Sequence, residues 1–168
     1  MLKELLRSIR LRQWPKNAFV FAGLVFDRQL SLSNFNPLLR VLGAFLIFCF
    51  ISSAVYLIND ILDASKDRLH PIKKNRPIAA GRLSITAAAL FAALFLVASL
   101  SAALLLSANL FWIVLVYLLL NLAYSLYLKN FPILDVLIIA GGFVLRVLAG
   151  VVVILVKMFS PWLYLATT

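Results

Sequence analysis

Carboxylates are the scarcest chemistry in this chain: 168 residues hold only six Asp and Glu, one His and one Cys. A lone cysteine forms no internal disulfide, and Cys49 lies in an apolar run where it reads as a small buried hydrophobe. There is no Ser-His-Asp arrangement for nucleophilic catalysis. No internal repeat and no stretch suited to a soluble second domain is visible. The first residues, MLKELLRSIRLRQWPKN, are basic but lack a small-residue cleavage pattern, so no removable signal peptide is expected.

Apolar residues are abundant instead. They make up 64% of the chain, well above the roughly 45–50% of a soluble domain, and the sequence reads as an integral membrane protein. A span needs about 20 apolar residues, and Pro37–Ile58, Ile85–Leu106, Leu110–Leu128 and Ile133–Val156 each meet that length. Asn17–Phe26 is too short alone and has to recruit Arg12–Lys16 or Asp27–Leu30. Pro161–Thr168 begins a sixth stretch. Small-residue runs at Ala87–Ala89 and Ala102–Ala103 suit close helix packing in lipid.

The net charge of +10 reports topology before it reports a nucleic-acid partner, and none is expected. With five crossings, the N-terminus, the 59–84 loop and the 129–132 turn share one side. That side carries Lys3, Arg7, Arg10, Arg12, Lys16, Lys66, Arg68, Lys73, Lys74, Arg76, Arg82 and Lys129; the other carries Arg28, Arg40 and Lys157. The asymmetry places the 59–84 segment, a motif loop, in the cytoplasm.

The few acids are concentrated there. Asn59, Asp60, Asp63 and Asp67 follow the second full-length span as N-D-x-x-D-x-x-x-D. On a continuous helix the aspartates stand at i, i+3 and i+7 and share a face. Stacked like charges repel unless a cation lies between them, and hard oxygen ligands suit Mg²⁺, which shares its coordination with substrate phosphates. Asn59 adds an amide oxygen or holds an aspartate in place. The structural alternative is a set of solvated helix-end carboxylates pairing with Lys66 and Arg68. Lys73, Lys74, Arg76 and Arg82 come next, where cations suit the outer oxygens of a diphosphate. Each alone is a topology marker; together with the aspartates they point to a Mg²⁺–diphosphate site at the cytoplasmic membrane surface.

Arg146 falls within the fifth span, where an unpaired charge costs at least about 2.5–3.5 kcal/mol. Asp135 stands about 16 Å away by helix rise, so a partner on another helix or a lipid phosphate is expected. Gly141 and Gly142 permit a kink or close helix approach, and Trp14 is expected to anchor at the membrane interface.

The aspartate pattern resembles the first aspartate-rich motif of the UbiA-type intramembrane prenyltransferases. "RQWPKN" (Arg12–Asn17), "AVYLINDILDASKDRLHPIKKNRPIAAGRLS" (Ala54–Ser84), "YSLYLKNFPILDVL" (Tyr124–Leu137) and "GFVLRVLAG" (Gly142–Gly150) are similar to the decaprenyl-phosphate phosphoribosyltransferase branch. The resemblance implies an all-α, polytopic transmembrane helical bundle forming one domain over 1–168, multi-pass in the cell membrane. It also implies transfer of phosphoribose from phosphoribosyl pyrophosphate to a polyprenyl phosphate, with loss of diphosphate. Mg²⁺ and cationic residues would neutralise the departing charge, and the attacking lipid phosphate, already anionic, would need no strong base.

Carried over by position, Asn59, Asp60, Asp63 and Asp67 would hold Mg²⁺ and diphosphate. Asp60, Asp63 and Lys129 would form the catalytic set, Lys73, Arg76 and Lys129 would contact phosphates, and Tyr124 would line the pocket. Lys16 is a further phosphate candidate. Asp135 would orient Lys129 or bind ribose hydroxyls, and Arg146 would face substrate. His70 is either a substrate contact or a local element before Pro71.

The family continues through a sixth helix to a second charged motif, so the expected fold is truncated to about five spans plus the start of a sixth. Prenyl transfer from a prenyl diphosphate to another acceptor, or an inactive fragment of such an enzyme, are the alternatives. A transporter half with the aspartates as its ion site is disfavoured, because the motif lies at the surface and no inverted repeat is visible.

Overall fold

A computed structural model describes residues 1–26, 35–128 and 132–154, and their regular elements are helical. A short helix α1 (Leu2–Ser8) leads into a 3₁₀ helix (Leu11–Phe21) and α2 (Ala22–Phe26). There follow α3 (Asn36–Leu62), α4 (Ala64–Leu69), α5 (Ile85–Leu106), α6 (Ala108–Leu126) and α7 (Pro132–Ile154). Among the described residues four helices are long and apolar enough to cross a membrane: Asn36–Leu62, Ile85–Leu106, Ala108–Leu126 and Val136–Ile154. The expected stretch Pro161–Thr168 lies outside the described residues.

Local sequence sets the helix ends. Pro37 sits in the first turn of α3, where its missing N–H costs nothing. Ser84 caps α5 by accepting from the Ala87 N–H. One extended residue, Ser107 (φ −169°, ψ 133°), separates α5 from α6.

Lipid is as apolar as leucine, so packing and hydrogen bonds hold such a bundle together. α3 is the hub: 61% of its most apolar stretch is buried, against 17% for α5. The buried residues of α5 are all small, namely Ala88, Ala92, Ser99 and Ala103, and this stripe lets α5 lie close to the rest of the bundle. Arg40, near the start of α3, donates from Nε to the Val153 carbonyl (2.8 Å) and from Nη2 to that of Leu106 (3.1 Å). It thereby satisfies a carbonyl at the end of α5, where a cation is favoured, and one in the last described turn of α7.

The short first stretch gains length by a route that the apolar count does not show. It recruits Leu11–Lys16 as part of the 3₁₀ helix, which rises about 2.0 Å per residue rather than 1.5 Å. Its 11 residues therefore cover about 22 Å. Antiparallel to it, α3 is met at Asp60 by Arg10, at Ser53 by Trp14, at Cys49 and Ser52 by Asn17, and at Phe45 by Phe21. The run from Asp60 to Phe45 along an α-helix is also about 22 Å. With α2 the whole segment reaches about 30 Å, the thickness of the hydrocarbon core. Trp14, expected as an interfacial anchor, packs edge-on against Phe50 and donates to Ser53 Oγ.

This helix lies directly on α7 because Gly150 offers no side chain: a Cβ there would collide with the Val20 carbonyl. Gly150→Ala is expected to lower stability by about 1–3 kcal/mol through overpacking against backbone. Gly141→Ala, whose Cβ would meet only a Leu120 methyl at an ordinary 3.6 Å, is expected to be neutral. Thermal unfolding of the two variants in detergent compares them.

Candidate functional site

The motif segment is more ordered than a loop. α3 continues to Leu62, and α4 follows after one residue, so Asp60 and Asp67, expected in a 59–84 loop, ride on helices. The cause is apolar: Leu57 and Ala64 are buried with Ile78, Leu83, Ala88 and Ala92, and Leu5 of α1 and Ile9 just after it close this core. The helix is not continuous through the motif as the shared-face argument supposes. Asp63 (φ −90°, ψ 0°) breaks it, although the Asp63 N–H still reaches the Asn59 carbonyl and the Asp67 N–H that of Asp63. Gly81, at φ +74°, allows the chain to reverse before α5.

Asp60 and Asp67 stay on one side across this break, and both are buried. Arg76 Nη1 lies between them, 3.2 Å from Asp60 Oδ1 and 2.7 Å from Asp67 Oδ2. Arg10 Nη2 donates to Asp60 Oδ1 as well, at 2.6 Å. Arg10 holds a left-handed backbone (φ 55°, ψ 55°), rare for a side chain of its size. Its guanidinium also stacks 4.6 Å above the Tyr56 ring.

Two convergent carboxylates form a hard oxygen donor pair around one point of positive charge. That chemistry fits Mg²⁺, which commonly binds through one or two carboxylates and completes its shell with water and phosphate. Among the described residues no group of three or more His, Cys, Asp or Glu side chains is gathered to hold a metal. Asn59 and Asp63 are half-buried on the adjoining turns.

The basic residues after the motif divide in the fold. Arg76 joins the carboxylates, whereas Lys73 and Lys74 are exposed. Arg82 donates to Glu4 Oε2 (3.0 Å) and to the Asn75 carbonyl (2.6 Å), and Arg68 to the Ala79 carbonyl. His70 has a local role: its Nδ1 accepts from the Ile72 and Lys73 N–H groups. Lys129 and the side chain of Asp135 lie outside the described residues.

A second polar region lies deeper. A cleft of about 270 Å³ is lined by Lys16, Tyr56, Tyr117, Asn121, Tyr124 and Arg146, with apolar residues of α7. Arg146 is buried and makes three hydrogen bonds: Nε to Asn17 Oδ1 (2.8 Å), Nη2 to the Tyr117 hydroxyl (2.9 Å) and Nη1 to the Gly142 carbonyl (2.7 Å). Its charge also faces the rings of Tyr117, Phe143 and Phe48 at 4.9, 5.5 and 6.0 Å. Among the described residues no carboxylate pairs with it. Tyr56 belongs to this cleft and also carries Arg10, so the cleft leads towards Asp60.

Sequence reasoning reached Lys16, Tyr124 and Arg146 but missed Asn17, Tyr56, Tyr117 and Asn121. A signal was present: Tyr117, Asn121 and Tyr124 stand at i, i+4 and i+7, a polar stripe on an otherwise apolar helix. Arg10 was counted only for topology, and no sequence signal marks its contact with Asp60.

Residues 18–168 match the model of the UbiA prenyltransferase family. The chain belongs to this family. It is 38% identical over 152 residues to decaprenyl-phosphate phosphoribosyltransferase of Mycolicibacterium smegmatis, covering 89% of this chain and 48% of that protein. It is 35% identical over 167 residues to the Mycobacterium tuberculosis protein of the same name, covering 98% and 55%. The chain thus spans about half the length of these curated relatives. A UbiA homolog from Archaeoglobus fulgidus, solved bound to GPP and Mg²⁺, superposes with a TM-score of 0.76 at 24% identity, over 98% of this chain and 58% of the homolog. The architecture is therefore that of a multi-pass UbiA membrane bundle.

Two outcomes test the geometry of this UbiA bundle. Tyr117→Phe removes one hydrogen bond to a buried cation and is expected to cost about 1.5–3 kcal/mol, read as a lower unfolding midpoint in detergent. The second concerns Glu4, whose pKa the Arg82 hydrogen bond chiefly lowers. A lowered folded value means that the contact is fully present above the ordinary glutamate pKa and is lost as pH falls through the lowered one. Hydrogen exchange in α1 is expected to quicken across that acidic window, and not in Arg82→Gln.

Proposed function

We propose that this protein supplies the metal-binding and acceptor-binding walls of a transferase. That enzyme moves phosphoribose from phosphoribosyl pyrophosphate to a polyprenyl phosphate and releases diphosphate. The observation that carries this reading is Arg146, buried without a carboxylate partner among the described residues and facing a cleft that also contains Lys16. A desolvated cation beside a second cation favours an anionic acceptor, such as a lipid phosphate, over a neutral aromatic ring. The two phosphoribosyltransferase relatives support the same direction.

In this reading Asp60 and Asp67, with Asn59 and Asp63 on the adjoining turns, would hold Mg²⁺. The ion, when bound, would neutralise charge on the departing diphosphate. Lys73, Arg76 and Lys129 would contact phosphate oxygens, and Asp135 would orient Lys129 or take ribose hydroxyls. Lys16 and Arg146 would bind the acceptor phosphate, with the Tyr117 and Tyr124 hydroxyls beside it. One phosphate oxygen would attack the anomeric carbon as the bond to diphosphate breaks. The nucleophile is already anionic, so no protein base need remove a proton. The basic end of the bundle, holding α1 and the motif, would face the cytoplasm of the cell membrane, as the charge asymmetry implies.

Membranes carrying the protein can be supplied with phosphoribosyl pyrophosphate labelled in the ribose or with prenyl diphosphate labelled in the chain. Label is expected in the lipid-phosphate fraction from the ribose donor, and Asp60→Asn is expected to reduce its rate by about 100-fold or more. Label entering product only from the prenyl donor would overturn the assignment. Arg146→Gln is expected to weaken polyprenyl phosphate binding while sparing that of phosphoribosyl pyrophosphate.

A further inference from the structure

A groove of about 810 Å³ opens inside the elbow between α1 and the 3₁₀ helix, and it shares no lining residue with the Lys16–Arg146 cleft. Its apolar lining is Leu2, Leu6 and Leu11, which are 69%, 42% and 40% exposed. These are not core residues left uncovered, because Leu5 of α1 and Ile9 at its cap are already buried with Ile78 and Leu83. The helix thus buries one apolar face in the protein and offers another to the groove. The charged lining is Lys3, Arg7, Arg10 and Arg12, and no acid lines it. Glu4, the one acid of α1, is held by Arg82 at 3.0 Å and Arg7 at 3.5 Å.

The elbow lies at the basic end of the bundle, where Arg10 meets Asp60, the end that charge asymmetry would set at a membrane surface. Arg10, in its left-handed conformation, ends the run of α1 and starts the 3₁₀ helix, so α1 does not continue the axis of that helix. A short basic helix with exposed leucines at a bilayer boundary matches the chemistry of an anionic lipid: phosphate for the cations, acyl chains for the leucines. The volume is also that of a ligand-sized site.

We propose that this groove binds an anionic phospholipid of the surrounding leaflet, with its phosphate among Lys3, Arg7 and Arg12 and its chains along Leu2, Leu6 and Leu11. The proposal stands apart from the transfer reaction. It gives the lipid a structural consequence, because Arg10 belongs both to the groove and to the Asp60 ion pair. A lipid seated there holds α1, and with it Arg10, beside Asp60.

The test is native mass spectrometry of the protein released from bilayers of mixed phosphatidylcholine and phosphatidylglycerol. Wild type is expected to retain phosphatidylglycerol selectively, and Lys3→Gln/Arg7→Gln/Arg12→Gln to retain it at least about tenfold less. Circular dichroism checks that the triple variant folds; if it does not, Arg12→Gln alone is expected to lower retention about threefold. Unchanged phosphatidylglycerol retention in the folded variants, or equal retention of phosphatidylcholine by wild type, would refute the site. Displacement of the lipid by inorganic phosphate would mark a plain anion site and equally overturn it. So would polyprenyl phosphate replacing phosphatidylglycerol in wild type and being lost in the triple variant.

Discussion

The Arg146 guanidinium joins three separate elements inside an apolar bundle. Asn17 reaches it from the 3₁₀ helix, Tyr117 from α6, and the Gly142 carbonyl from one turn earlier in α7. Leucine packed on leucine gains little over leucine packed on lipid, so directional bonds of this kind determine which helices meet and in what rotation. The same Asn17 donates weakly to Ser52 and Cys49 of α3. One buried cation therefore ties the entry helix, the hub and two later spans to a single registration. Gly150 and Arg40 depend on that registration: the first lets the 3₁₀ helix touch α7, and the second reaches carbonyls of α5 and α7 together.

Charge is layered along the bundle. Among the described residues the carboxylates occur at the end that carries α1 and the motif, where Arg10 and Arg76 neutralise Asp60 and Asp67. The cleft beneath contains cations, hydroxyls and an amide. Tyr56 joins the two regions, with its ring under Arg10 and its side chain in the cleft. A donor that needs a metal and an acceptor that needs a cation would thus be met in sequence along one path.

Much of the architecture was legible from residue order. Four of the apolar stretches became helices within a few residues of their expected bounds, because a run of about 20 apolar residues in lipid has little alternative to the helix. A fifth crossing is an expectation from charge asymmetry; what the structure adds is that this stretch winds as a 3₁₀ helix packed on α3 and α7, which covers more length per residue. Of the candidate site, Asp60, Asp67 and Arg76 were found by local density of charge, and Lys16, Tyr124 and Arg146 by resemblance or by the cost of a buried cation. Asn17, Tyr117 and Arg10 escaped. Their contacts cross 129, 29 and 50 residues of chain, and no local pattern encodes a partner at such a distance.

The sequence by itself determined a membrane bundle, its basic end, and an aspartate motif set beside that end. These follow from composition and from spacing over a few turns, which act within short stretches of chain. The tertiary structure alone decided that Asp60 and Asp67 converge on Arg76 while the helix breaks at Asp63. It also decided that Arg146 is held by neutral oxygens and opens onto a cleft with Lys16. Those outcomes depend on how helices rotate and approach one another, and that is settled by small residues, buried hydrogen bonds and volume, summed over segments far apart in the chain.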